Sequence, residues 1–345
     1  MRRPPQPVVV VVLAVLASGC GRLQYDVASD AAGIDAAGID AAGIDAAGID
    51  AAGIDAAGID AAGIDAAGID AAGIDGGPPT GVGPFGAPRR IDALASSSRD
   101  SDPTATADLL ELYFTSDRLG GPGNLDIWMS RRASVTAPWG APTPVIELSS
   151  LDNEQTPEVS PDGLTLWLSS TRTGGRPQYD VYVSTRASRA ATWGVPTLIA
   201  ALASDGDEIS PTLSADRLRV MFHGYDSIDH DIHEATRAST AVAFGAPTQV
   251  MSLSTISFEG APFLWDDARV VLFDSNRPGG AGSWDLYVAQ RPSTAGAFGP
   301  NAPIAEVNTA DKEAGPWLSP DGAYLLFNRG EEGIGDQDDI WEASR

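Results

Sequence analysis

"SPDG" stands at Ser160–Gly163 and returns at Ser319–Gly322, with looser versions at Thr106–Leu109 ("TADL"), Ser214–Arg217 ("SADR") and Trp265–Ala268 ("WDDA"). Aligned on this turn, the neighbourhood repeats. "PTATADLLELYF" from Pro103, "PEVSPDGLTLWL" from Pro157, "PTLSADRLRVMF" from Pro211, "PFLWDDARVVLF" from Pro262 and "PWLSPDGAYLLF" from Pro316 form one column. Downstream stand "DIW" at Asp126, "DVY" at Asp180, "DIH" at Asp231, "DLY" at Asp285 and "DIW" at Asp339. Six residues after each aspartate comes an arginine: Arg132, Arg186, Arg237, Arg291 and Arg345. Successive aspartates are 54, 51, 54 and 54 residues apart, which makes five repeats.

Each repeat reads as four short strands. In the second they are roughly "TPEVS", "LTLWLSS", "YDVYVSTR" and "VPTLIAAL", alternating or rich in β-formers, with no helical stretch between them. In the turn, Pro161 presets the first corner, Asp162 suits the second, and Gly163 can take a positive φ. SPDG therefore folds strand one back onto strand two. Four-stranded units at this period specify a β-propeller. The fifth repeat stops at Arg345, after its third strand, and the missing fourth stands before the first repeat as "FGAPRRIDALAS" at Phe85–Ser96. The expected fold is an all-β, five-bladed propeller over residues 85–345, closed by an N-terminal strand that leaves no open edge.

The pattern P-x-x-S-P-D-G, D-I-Y, R resembles the TolB-type propeller repeats, with the second and fifth repeats nearest to it. That resemblance implies the propeller fold and a place in the Gram-negative envelope. TolB has a further N-terminal α/β domain. Here an anchor and tether stand in its place, so TolB's own partner does not carry over.

The N-terminus has the form of an export signal. Arg2 and Arg3 precede an apolar run of eleven, "VVVVVLAVLAS" at Val8–Ser18, too short to span a bilayer comfortably. It ends at "ASGC", which resembles the bacterial lipoprotein signal, with Cys20 as the lipidated residue and 1–19 as the leader; the alternative is an ordinary signal peptide. Cys20 is the sole cysteine, so intramolecular disulfides are excluded. Gly21 follows it where an aspartate would favour inner-membrane retention, so the outer membrane is the expected site. Nine copies of "AAGID" fill Ala31–Asp75. A period of five gathers isoleucine on neither a helix stripe nor a strand face, and each glycine costs a helix about 1 kcal/mol. Residues 20–84 are therefore expected to be a flexible acidic tether spanning on the order of 45 Å. A pentapeptide-repeat solenoid is the competing reading, weakened by Gly33 where that family has Asp or Asn.

The formal charge of −25 excludes nucleic acid as a partner. One acid precedes each proline column by three residues: Asp100, Glu154, Glu208, Glu259 and Glu313. At the channel mouth these are the candidate binding residues, and the five-bladed glycosidases, which use such carboxylates, supply the enzyme alternative: a glycoside hydrolase or lyase. Recurrence in every repeat argues instead for a structural role, paired with Arg118, Arg172 and Arg277, because catalysis needs unequal acids at unique positions. No catalytic residue is assigned. No G-x-S-x-G elbow, phosphate loop or zinc spacing is present. The aromatics before G-x-P (Phe85, Trp139, Trp193, Phe244, Phe298) are expected to pack between blades, and the repeated aspartates to hold hairpin turns.

The third repeat differs, because Asp226 occupies the arginine column. Glu208, Asp226, Asp229, His230 and Asp231 therefore form a candidate divalent-cation site for an ion such as Ca²⁺, against the alternative of a solvated acidic loop. No other cofactor is expected. The combined expectation is a monomeric, non-enzymatic module, lipid-anchored and periplasmic or cell-surface, binding an envelope protein or glycan through the variable loops between second and third strands.

Overall fold

The computed structural model describes residues 82–225, 230–330 and 337–345. Cys20, the leader, the AAGID repeats, Asp226 and Asp229 lie outside the described residues. The described residues form five four-stranded antiparallel sheets and no helix: a five-bladed propeller. The innermost strands are Asp100–Ala105, Glu154–Val159, Asp207–Leu213, Glu259–Trp265 and Lys312–Leu318. The fifth sheet takes its outer strand from the N-terminus, with Arg89 and Arg90 opposite Glu342 and Trp341.

The core lies between sheets. Tyr113, Ile127 and Leu148 of blade one pack with Val159, Leu166 and Leu168 of blade two. Leu112 and Phe114 likewise meet Leu325 and Phe327 of blade five across the closure. The outer strands are shorter than the eight residues expected, each reduced to a pair such as Thr143–Pro144 or Thr197–Leu198. Proline here removes backbone donors, and the chain then turns inward, Leu148 N–H to Val145 and Leu202 N–H to Ile199. That turn buries Leu148 and Leu202 instead of extending an edge.

The SPDG turn folds as its residues dictate. Gly163 has φ 72°, and its N–H reaches the Ser160 carbonyl at 2.8 Å. The Ser160 hydroxyl donates to Asp162 Oδ1 (2.6 Å) and accepts from Thr165 N–H (2.9 Å). Leu109, Arg217 and Ala268 hold the same left-handed position without glycine.

A second regularity ties the blades together. The residue before each proline column is left-handed: Asp102, Thr156, Ser210, Ala261 and Gly315. Each is a bulge whose N–H turns to a side chain of the preceding blade. The acceptors are Asn328 for Asp102, Thr115 for Thr156, Thr156 for Ser210, His223 for Ala261 and Asp274 for Gly315, at 2.9–3.3 Å. These five bonds run once around the axis and close blade one onto blade five. Burial pushes the Asp274 carboxyl up to about 7.

Candidate functional site

The five repeated acids begin the inner strands but turn away from the axis. Each accepts a hydroxyl hydrogen bond from the residue four before it: Ser96 to Asp100, Ser150 to Glu154, Ser204 to Glu208, Thr255 to Glu259 and Thr309 to Glu313. Arg118 pairs with Asp100, Arg172 with Glu154 at 3.1 Å and Arg277 with Glu259 at 3.2 Å. Arg329 pairs with Glu313 at 2.7 Å from a different column, where blades one, two and four have the serine that bonds the acid. The five acids are all buried, and none lines the axial channel or the cavity at its end. Placed at an accessible channel mouth by sequence position, they instead sit within the blades, because serine and arginine neighbours solvate them there.

Glu208 has no basic partner among the described residues, and burial raises its carboxyl to about 7. Of the other four residues named for a cation, Asp226 and Asp229 lie outside the described residues. His230 stacks between Tyr225 (4.4 Å) and Phe258 (4.1 Å), and the Asp231 carbonyl contacts His233 Nδ1 at 3.1 Å. No group of three or more His, Cys, Asp or Glu among the described residues is arranged to hold a metal ion.

The arginines six after each repeated aspartate have a role that spacing alone did not assign. Arg186 Nε donates to the Gly163 carbonyl (2.6 Å) while its guanidinium lies 4.4 Å over Trp193. Arg132 over Trp139, Arg237 over Phe244 and Arg291 over Phe298 do the same at 4.2–4.4 Å. These aromatics are buried, and Trp193 meets Tyr113 of blade one edge-on at 6.0 Å, so it packs between blades.

Among the described residues a cavity lies on the opposite face from the variable loops, where the SPDG-type turns converge on the axis. It encloses about 480 Å³ and is walled by Trp167, Phe263, Trp265 and Trp317, with Glu158 on its floor. Below it the channel narrows through the ring of prolines that follows the bulges. A column that refuses to repeat points to this site. The residue after each proline is Thr104, Glu158, Thr212, Phe263 and Trp317, and three of these five line the cavity.

Glu158 is half-buried, accepts one hydrogen bond, from Thr104 Oγ1 at 3.2 Å, and has no ion pair among the described residues. Burial pushes its carboxyl up to about 8, so it holds a proton at neutral pH. The folded protein thus keeps a proton that the unfolded chain releases near 4.5. The resulting stability is complete below pH 4.5 and is lost as pH rises through 8. Glu158→Gln is expected to flatten that loss by at most about 5 kcal/mol at pH 9, and by less where solvent reaches the group. Urea midpoints of wild type and variant between pH 6 and pH 9 measure it; parallel curves would show that Glu158 is ionised throughout.

No protein-family model matches the chain, and no curated protein matches it. Solved structures do. An endo-arabinase from Bacteroides thetaiotaomicron superposes with TM-score 0.52 at 15% identity, over 76% of this chain and 98% of that one. An arabinanase of Bacillus subtilis gives 0.50 at 13%, over 72% and 95%. TolB from Acinetobacter baumannii gives 0.46 at 14%, over 73% of this chain and 56% of that one. At these identities the likeness is one of fold.

Proposed function

We propose that this chain is a non-enzymatic binding module of the bacterial envelope, carried on a lipid anchor and flexible tether, that seats a protein or glycan partner in the axial cavity. The observation that carries the reading is the contrast between two sets of acids. The five repeated carboxylates, the candidates for the glycosidase alternative, are buried and engaged by hydroxyls, four of them also by arginines. The cavity instead offers aromatic and aliphatic walls with one protonated carboxyl on its floor. Pockets of that composition bind, and a few polar groups orient what they hold.

Arg345 ties the first described residues to the blade-five turn. It donates to the carbonyls of Gly83 (3.5 Å) and of Asp321 in the blade-five turn (3.2 Å).

Incubation of the full chain with arabinan, xylan and peptidoglycan is expected to release no soluble sugar. Retention on an immobilised envelope fraction is expected to fall at least about tenfold in Ala215→Trp and Ala107→Trp, which fill the cavity from exposed turn positions. Sugar products would establish the glycosidase alternative instead.

A further inference from the structure

We infer that the axial cavity accepts the ammonium group of a lysine side chain presented by a protein partner, with Glu158 as the receiving carboxyl. This rests on the cavity being the partner's seat.

Shape narrows the ligand first. Trp167 and Trp317 are only 5% and 4% exposed and offer no ring face for a sugar, while the half-buried Trp265 is pinned to the wall by its Nε1–H, which donates to the Ser319 carbonyl at 3.0 Å. Leu213, Leu264 and Leu318 supply further aliphatic surface. A deep, apolar-walled pocket above a constricted channel suits a slender methylene stem carrying a polar tip.

Charge narrows it further. Four acids line the cavity against one arginine. Asp266 is paired with Arg269 at 2.6 Å, and the Ser160 hydroxyl, aided by Arg217, holds the Asp162 carboxyl below the usual carboxylate range. Asp267 has no ion pair among the described residues, and Glu158, on the floor, keeps its proton for want of a counter-charge. An entering ammonium supplies that charge. Neutral Glu158 gives up its proton to solvent, and the carboxylate pairs with the lysine; charge and protons balance, with one proton released for each lysine bound. Thr104 already engages one Glu158 oxygen, leaving the other for a point charge. Arginine's planar fork asks for two acceptors, so lysine is the better fit. The net charge of −25 draws cationic partners toward the protein at long range.

The test is calorimetric titration of the full chain, in detergent, with the peptide acetyl-Gly-Lys-Gly-amide in two buffers of different ionisation heat. The same peptide with norleucine for lysine, and n-pentylamine, are run beside it. The lysine peptide is expected to bind with release of close to one proton at pH 7. Its affinity should rise about tenfold from pH 6 to pH 7 and level off above pH 8. The norleucine peptide and pentylamine should each bind at least about tenfold more weakly. Glu158→Gln should abolish proton release and the pH dependence; the wild-type proton count needs no variant to fold. Equal binding of norleucine, binding without proton release, pentylamine as tight as the peptide, or no heat at millimolar peptide would each overturn the inference. If it fails while Ala215→Trp still abolishes envelope retention, the cavity remains the seat and only the lysine is wrong. If retention also survives that substitution, the seat itself is wrong.

Discussion

A chain shortened to begin at Asp100 is expected to lose cooperative unfolding, whereas one beginning at Val82, the first described residue, keeps it. The segment removed carries Val82, Phe85, Ile91 and Leu94, all buried in the cluster that joins blade five to blade one. At about 1.5–3 kcal/mol each, their burial contributes about 6–12 kcal/mol, comparable with the whole stability of a typical domain at about 5–15 kcal/mol. Truncation also frees the edge of the strand Asp338–Ser344, breaking Gly86 N–H to Ser344 (2.8 Å) and Ile91 N–H to Ile340 (2.9 Å). Urea unfolding followed by tryptophan fluorescence and by circular dichroism is the measurement. A single sharp transition in both signals for the shorter chain would show that the ring holds without its closing strand.

That closure was legible because it rests on columns. SPDG, the repeated aspartates and "FGAPRRIDALAS" are local patterns whose chemistry is the same wherever they recur. The buried ion pairs were partly legible: Arg118, Arg172 and Arg277 share a position, but Arg329 reaches Glu313 from two residues earlier, in the serine's place. The inter-blade ring was not. Four of its five acceptors, Thr115, His223, Asp274 and Asn328, share one position but no residue type, and the fifth, Thr156, lies in a bulge itself. Only the left-handed bulge opposite them gives that position a meaning, and a bulge is a property of the paired strands. The cavity was hidden for a related reason. Five turns about 50 residues apart contribute a few side chains each, so no window of sequence contains it. Glu158 was visible only as the one acid in a column with no consensus.

The second large effect belongs to the buried pairs. Arg172→Met keeps an aliphatic stem but removes the guanidinium that holds Glu154 at 3.1 Å, the Leu148 carbonyl at 2.6 Å and the Ser170 hydroxyl at 2.9 Å. Glu154 is fully buried, so its charge is left without compensation, and a loss of about 3–5 kcal/mol is expected. Adding Glu154→Gln should recover most of it, because the amide removes the stranded charge and still accepts from Ser150. Blade three has already met the same problem without an arginine. Burial pushes Glu208 up to about 7, and a protonated Glu208 stabilises the fold at low pH and progressively less as pH rises through 7. Glu208→Gln is therefore expected to be close to neutral at pH 5.5 and stabilising at pH 8.5, the opposite of what losing a paired acid does. Urea midpoints of Arg172→Met, the double variant and Glu208→Gln at both pH values decide the matter. If Arg172→Met costs under about 1 kcal/mol, the pair is no stronger than an exposed one. If Glu208→Gln destabilises equally at both pH values, a cation stands beside Glu208 in solution, and blade three carries its charge as the other blades do.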